Sequence, residues 1–198
     1  TLRVTFRGGA FSGLDMGETL GLSTVRFDSS GPFEALIELD NDGGGRGWYV
    51  DPTPGDDLEF SITASPSFLT GGPPDQYDFL STVVHEIGHA LGLGIGFREN
   101  LASRLSPLAD GRMLYQGPTG VSAVWNSAVD HLDPIFHAFD LLTPDAFVGT
   151  RVYPTELNLR LLADAYGYRV LIPSSPADTR PPQVVDSRII SASGGVAV

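Results

Sequence analysis

The feature that most constrains the fold is a change in hydrophobic period near residue 75. From there to residue 93 the apolar side chains recur every three or four positions, at Phe79, Val83, Val84, Ile87, Ala90 and Leu91. This spacing places them on one face of an α-helix. Asp78 or Ser81 suits the N-cap, and Gly92 is a stop signal. The pattern therefore predicts a helix over about 76–92.

The segment that precedes this helix shows the alternation of short strands. The predicted strands cover 2–7, 23–27, 35–39, 47–50 and 58–64, separated by turns rich in Gly, Asp and Pro. The last of them alternates most cleanly, which is typical of a half-buried or edge strand. We find no amphipathic helix pattern in this segment.

The segment that follows the helix divides into three parts. Residues 95–130 carry Gly, Pro and Ser throughout and are predicted to be loop-like. A second helix is predicted over 155–166, where three leucines share a face and Gly167 ends the pattern. Residues 173–198 are rich in Pro, Ser and Gly, which predicts a tail or linker.

Charge and composition narrow the range of partners. The chain has 12 Lys+Arg against 24 Asp+Glu, a net charge of −12, and no Cys. An acidic chain lacks the basic surface that nucleic acids and anionic membranes require. No apolar run reaches the ~18 residues of a membrane-spanning helix. Because the sequence starts at Thr1, we expect a processed chain from which any signal peptide has been removed. We also expect the protein to be secreted and monomeric.

A candidate metal site lies inside the first predicted helix. His85 and His89 are four residues apart, so both imidazoles lie on one face and can bind one ion. Glu86 is next to the first histidine. Zinc lowers the pKa of a bound water toward ~7, and a carboxylate at this position can take its proton. The alternative is a pair of histidines that only caps the face of a core helix.

A catalytic zinc ion usually has three protein ligands and a water, so the pair needs a third residue. The extended pattern H-E-x-x-H-x-x-G-x-x-H would place a histidine at position 95, which is Ile95. The other histidines of the chain are His131 and His137. Glu156 is a further alternative if the site is a glutamate zincin of the thermolysin type.

The run HEIGHALG, from His85 to Gly92, resembles the metzincin clan of zinc endopeptidases. His131, followed by the run DLLTP at 140–144, is similar to the leishmanolysin-like branch, which inserts a segment before its third histidine. Leu142 stands where that family has the methionine of its Met-turn, and its similar size is expected to preserve the floor under the zinc. The helix at 155–166 and the Gly-Tyr that follows it resemble the family's closing helix. The segment 47–54 is similar to matrixin-like bacterial secreted proteases.

This resemblance implies an α+β fold of the metzincin or zincin-like type over residues 1–172. Residues 1–94 would form an N-terminal subdomain with a twisted mixed β-sheet and the active-site helix. Residues 95–172 would form a loop-rich C-terminal subdomain that ends in a helix. The insertion at 95–130 would be either a lid that shapes specificity or inert surface.

The resemblance also implies an activity and its residues. His85, His89 and His131 would hold Zn²⁺, Glu86 would activate the water, and the substrate would be a protein or peptide. The peptide would lie along an edge strand, for which 58–64 is the candidate.

Two other readings of the same residues stay open. A non-catalytic zincin-fold module that binds a protein or matrix partner is favoured by Ile95 and Leu142 and opposed by the intact Glu86. A structural zinc site is the second, although three histidines with one open position do not resemble closed, Cys-rich sites.

Two secondary features complete the predicted site. Asp40, Asp42 and Asp51 lie in and after a Gly-rich turn, where alternating carboxylates suit Ca²⁺; the alternative is a plain turn between strands. Tyrosines are candidates for stabilising the oxyanion, as one does in some metzincins, and packing is the alternative role for each. The candidates are Tyr168, which is closest to the closing helix, and Tyr115, Tyr153 and Tyr166.

Overall fold

The structure is a computed structural model that describes residues 2–8, 19–94 and 101–170. Within these ranges the protein has two α-helices and several small β-sheets, which confirms the predicted α+β class. Neither helix has the length and hydrophobicity needed to cross a membrane. The predicted tail at 173–198 and Ile95 lie outside the described residues.

The elements follow one another in a simple order. Strands β1 to β7 span Arg3–Gly8, Gly21–Asp28, Gly31–Leu39, Trp48–Tyr49, Ile62–Ser65, Phe68–Thr70 and Tyr77–Asp78. Helix α1 spans Phe79–Ala90. A 3-10 turn at Ala102–Arg104 then precedes strands β8 to β11, which span Leu105–Pro107, Met113–Gln116, Ser122–Trp125 and Thr150–Val152. Helix α2 spans Glu156–Tyr166.

The first sheet is mixed and has β3 at its centre. Strand β3 pairs in parallel with β1 and antiparallel with β2, so β2 forms one edge of the three. Alternate residues of β3, Ala35, Ile37 and Leu39, are buried and pack against Ala90 of α1. The period-two pattern of this strand thus places one face of the sheet against the helix.

Helix α1 has one of the two predicted N-caps and is shorter than the predicted 76–92 at both ends. Asp78 is the N-cap, and its carboxylate accepts hydrogen bonds from the backbone N–H and the hydroxyl of Ser81. Tyr77 and Asp78 form the short strand β7 with β4, so the helix starts only at Phe79. The prediction of Asp78 as a cap is confirmed.

Helix α2 closes the second hydrophobic core. Thr155 and Asn158 form a reciprocal capping box, and Gly167 ends the helix in a left-handed conformation, as predicted. Leu161 of α2 packs in a buried cluster with Trp125, the last residue of β10, and with Leu142 in the segment that follows β10. The cluster brings the C-terminal half of the chain against the end of α1.

Two strand predictions were wrong. In the predicted strand 58–64, only Ile62–Ser65 is extended, and Leu58 and Glu59 lie in a turn. The turn forms because the ring of Phe60 is buried beneath the guanidinium of Arg151 and the N–H of Phe60 donates to the carbonyl of Asp57. The region 95–130 is not all loop, since β8, β9 and β10 form an antiparallel sheet within it. These strands have only three or four residues each, which is too short for a clear period.

One arginine links β11 to the start of α1. The guanidinium of Arg151 is fully buried and forks onto both carboxylate oxygens of Asp78, at 3.0 and 2.8 Å. It also donates to Asp51 at 2.7 Å and to Asp57 at 3.2 Å. Its plane lies over the ring of Phe60, 4.5 Å from the centroid. The arginine therefore ties the loop before β5 to the cap of the helix.

Replacing this arginine tests its structural role. Arg151→Met is expected to lower the free energy of unfolding by about 3–5 kcal/mol, because it leaves buried carboxylates without their cation. Burial raises the pKa of Asp51, but the Thr53 N–H and the guanidinium outweigh it, so the folded pKa lies below 3.8. The contribution of this pair is therefore present above that value and is lost as the pH falls through the folded pKa. Urea unfolding at a series of pH values measures both effects.

Arg26→Met is the matched control. Arg26 pairs with Glu34 at 2.9 Å, but its side chain is 70% exposed, so the loss should stay below about 1 kcal/mol. Equal losses in the two variants would contradict the role assigned to Arg151.

Candidate metal centre

Three histidines from two distant parts of the chain meet at the C-terminal end of α1. His85 and His89 lie on successive turns of the helix, with ring centroids 4.6 Å apart. The ring of His131 lies 5.3 Å from the first and 5.0 Å from the second. One ligand nitrogen from each ring lies within 4.8 Å of the others. The structure therefore brings together the three residues that the sequence predicts as ligands.

The Nδ1 nitrogen of each helical histidine has a hydrogen-bond partner. The Nδ1 of His85 lies 2.6 Å from the carbonyl oxygen of Leu141, and that of His89 lies 3.0 Å from the carbonyl oxygen of Leu93. A carbonyl only accepts hydrogen bonds, so both Nδ1 atoms carry the proton. The lone pair of each of these two neutral rings is then on Nε2, which is the usual arrangement behind a metal-binding histidine.

The two Nε2 atoms of the helix face each other at 2.9 Å. With both protons on Nδ1, this pair is two acceptors in contact, which repel each other unless a cation lies between them. Two imidazole nitrogens bound to one tetrahedral zinc are roughly 3.3 Å apart, given bonds of about 2.0–2.1 Å. The 2.9 Å contact is shorter than this, so it is the tautomers set by the two carbonyls, and not the spacing, that favour a cation between the rings over a direct hydrogen bond.

Burial keeps the three rings neutral. It lowers the pKa of His89 to about 4 and that of His85 well below its ordinary value, and the neighbouring histidines act in the same direction. Burial also lowers the pKa of His131, although Asp130 opposes the shift. Since only the neutral imidazole binds a metal, the cluster is in its ligating form near neutral pH.

A tight turn packs beneath the histidines. Leu142 is fully buried, and a Cβ atom at Gly88 would lie 2.8 Å from its Cδ2 atom, so only glycine lets this leucine lie against α1 between the two histidines. The carbonyl of Leu142 accepts from the N–H of Leu132, next to the third histidine. The leucine thus packs against α1 at Gly88, the residue before the second helical histidine.

Glu86 is buried beside the same cluster. Its side chain is 4% exposed, and burial raises its pKa to about 7. One carboxylate oxygen, Oε2, is buried and has no hydrogen-bond partner among the described residues. A Cβ atom at Gly21 would lie 2.6 Å from the other oxygen, so β2 approaches the carboxylate through a glycine. A buried carboxylate with a free oxygen is equipped to hold a proton or a polar ligand.

The cluster opens into a cavity of about 680 Å³. One wall is β2, from Gly21 to Val25, and the opposite wall is the segment from Leu141 to Phe147. Within the described chain β2 pairs with β3 alone, and five consecutive residues of β2 line the cavity. The hydroxyl of Ser23 on this strand donates to the carbonyl of Glu86 at 2.8 Å, which fixes the strand to the helix.

The strand predicted to receive a peptide, 58–64, is elsewhere. Strand β5, the extended part of that segment, pairs with β6 and does not line the cavity. The prediction was wrong because clean alternation identifies an edge strand but does not say which edge meets the site.

The competing ligands are not part of the cluster. The Nε2 of His137 accepts the N–H of Val124 at 3.0 Å, so this histidine is bound to the backbone of strand β10. Glu156 is exposed and pairs with Arg160 on α2. Among the described residues, the histidine cluster is the one group of three His, Asp or Glu side chains close enough to share an ion.

The predicted calcium site is not assembled. The carboxylate of Asp40 accepts from the N–H groups of Asp42 and Gly44, and that of Asp42 accepts from the N–H of Gly45. Asp51 instead binds Arg151. Within the described ranges these three aspartates do not form a group that could share a metal, so the plain glycine-rich turn is the better description.

The candidate tyrosines also serve other contacts. Tyr115 donates to Asp164, Tyr153 to Asp57, and Tyr166 to the carbonyl of Gly92. Tyr168 packs against the second core, with its ring 5.9 Å from that of Tyr166. None of these four tyrosines lines the cavity.

Several residues of the site were missed by the sequence prediction. The carbonyls of Leu93 and Leu141 act through the backbone, which leaves no side-chain signal. Gly21 and Ser23 lie in a strand that was predicted only in part. Asp130 could have been found from the sequence, because it is an acidic residue directly before the third histidine.

Comparison of the chain with protein-family models, with curated proteins and with solved structures gives no match.

Alanine variants of the four histidines test the cluster. Wild-type protein is expected to bind one Zn²⁺ per chain. His85→Ala, His89→Ala and His131→Ala are each expected to weaken binding strongly, because each variant leaves two of the three imidazoles. His137→Ala is the matched control and should keep the wild-type stoichiometry. Equilibrium dialysis with metal analysis measures the bound zinc. Loss of zinc in His137→Ala but not in His131→Ala would show that His137, and not His131, is the third ligand.

Proposed function

We propose that the protein is a zinc-dependent endopeptidase of the metzincin type, with the leishmanolysin-like arrangement of its third ligand. The observation that carries the proposal is that one cavity is lined by three convergent histidines, a buried glutamate and β2, a strand with one partner strand among the described residues. A metal site alone needs only the histidines. The addition of a proton-carrying group and a strand that can bind an extended chain favours the hydrolysis of peptide bonds.

The ligand set suits zinc. His85, His89 and His131 would hold the ion through Nε2, and three neutral imidazoles with one open position are a common catalytic zinc site. When bound, Zn²⁺ supplies Lewis-acid polarisation of the scissile carbonyl and lowers the pKa of water. Leu142 supports this arrangement from below, because it packs against the helix between the two helical ligands.

Glu86 is the proton carrier in this proposal. Its carboxylate takes a proton from the attacking water and gives it to the leaving amine. Burial places its pKa at about 7, and a general base works best when its pKa lies near the working pH. The free Oε2 atom is available for this exchange because no described residue binds it.

Strand β2 is the proposed binding site for the peptide backbone. Its edge lies along the cavity, and its unpaired N–H and C=O groups can form a ladder with an extended chain. Ser23 holds this strand to the carbonyl of Glu86, so a bound backbone would lie in register with the proton carrier.

Activity against an unfolded protein tests the proposal. With zinc, the wild type is expected to cleave casein into discrete fragments, and Glu86→Gln is expected to reduce the rate by about 10² to 10⁴, because the variant keeps the shape of the side chain but cannot take the proton. Fragment release followed by mass spectrometry gives the rates.

Zinc content must be measured on the same samples. The glutamine variant should bind as much zinc as the wild type, which separates lost chemistry from lost metal. A wild-type protein that binds one zinc and cuts nothing would favour the non-catalytic binding module instead.

The glycine of β2 offers a second test. Gly21→Ala is expected to lower kcat/KM by roughly 10- to 100-fold, because the new methyl group would displace the Glu86 carboxylate. Peptide hydrolysis under zinc saturation measures the change.

Gly8→Ala is the control, since Gly8 lies in β1 and a Cβ atom there would meet nothing within 4 Å. Equal activity of the Gly21 variant and the wild type would show that the carboxylate is not held at this position during the reaction.

A further inference from the structure

We propose that Asp130, supported by Asn126, is the positioning residue of the third histidine and sets how tightly that histidine holds the metal. The inference rests on the proposed function, because it concerns the same metal centre. It adds a charged partner outside the ligand set and predicts which ligand is most easily perturbed.

The contact is a carboxylate behind a ligand. The Oδ1 atom of Asp130 lies 3.2 Å from the Nδ1 atom of His131. The two helical histidines have backbone carbonyls in the same position. A carboxylate is the stronger acceptor, and in this position it fixes the orientation of the ring and raises the basicity of the nitrogen that binds the metal.

The third histidine has the greatest need of such support. His85 and His89 are oriented by the helix that carries them, whereas His131 lies in the segment between β10 and the turn at Leu142. A side chain on a loop has more freedom to lose on binding, so an outer partner has a larger effect on it.

Asn126 holds the carboxylate in place. Its Nδ2 donates to the Oδ1 atom of Asp130 at 2.5 Å, and its Oδ1 accepts the N–H of the same residue at 3.3 Å. Its backbone N–H donates to the carbonyl of His131 at 3.0 Å. One asparagine thus binds both the carboxylate and the backbone of the ligand.

The loop between these residues is held in an unusual conformation. Val129 is buried and has a φ of 60°, in the left-handed region that β-branched residues rarely adopt. The carbonyl oxygen of Asp130 also approaches Gly94, where a Cβ atom would lie 2.6 Å from it. Packing against the end of α1 therefore fixes the loop and the direction of the carboxylate.

Metal binding tests the inference without any assay of hydrolysis. Zinc affinity would be measured by competition with a chelator, and the absorption spectrum of the Co²⁺-loaded protein would report the ligand field. Asp130→Ala is expected to weaken zinc binding by roughly 10- to 100-fold and to change the Co²⁺ spectrum. Asp130→Asn keeps an acceptor oxygen but not the charge and should fall between Asp130→Ala and the wild type. Asn126→Ala should shift both readouts in the same direction.

Two controls separate the possible outcomes. Asp145→Asn removes an acidic charge from the wall of the same cavity without touching the ring, so its effect on affinity should be smaller than that of Asp130→Asn. Circular dichroism of the metal-free variants checks that they fold. A variant that melts earlier but keeps the wild-type Co²⁺ spectrum and zinc affinity would show a structural role only and would overturn the inference.

His131→Ala tests the foundation beneath the inference. If it loses zinc while both Asp130 variants bind like the wild type, the metal centre stands and the role of Asp130 is refuted. If it binds zinc like the wild type, the third ligand is wrong and the proposed function fails with it.

Discussion

The hydrogen bond from the Nδ1 of His85 to the carbonyl oxygen of Leu141, 2.6 Å long, joins the two halves of the site. It places the proton of the ring on its outer side, so the inner nitrogen keeps its lone pair and could bind a metal. It also holds the turn that carries Leu142 against the helix, at the level of Gly88. From that turn a second backbone hydrogen bond, to the N–H of Leu132, sets the position of the third histidine. The helix, the turn and the loop that carries His131 are thus joined by two neighbouring hydrogen bonds, of which the first is partly buried.

The second constraint is the close approach of β2 to the helix. Gly21 leaves room for the carboxylate of Glu86, and Ser23 binds the carbonyl of the same residue. A strand that can receive a peptide and the residue proposed to move the proton are therefore held as one unit. Any substitution that shifts the strand is expected to shift the carboxylate with it.

How much the sequence could predict depends on how local each signal is. The helical pair His85 and His89 was predictable because four residues bring two side chains onto one face, and Thr155 and Gly167 mark the ends of α2 for equally local reasons. Asp51 was assigned to a calcium loop, yet its partner Arg151 is 100 residues away, which no local pattern shows. The strands between Leu105 and Trp125 are too short to establish a period. The third histidine was selected by resemblance to a family rather than by spacing.

The position of the cluster on α1 has an electrostatic consequence. His89 lies in the last turn of the helix, while the opposite end is capped by the carboxylate of Asp78. The aligned peptide dipoles give the C-terminal end a partial negative charge, which attracts a cation by about 0.3–1 kcal/mol per charge where solvent is near. The same end repels anions, so phosphate and sulfate are expected to bind weakly at the C-terminal end of α1. The backbone of the helix therefore favours a cation over an anion at this position, independently of the histidine side chains.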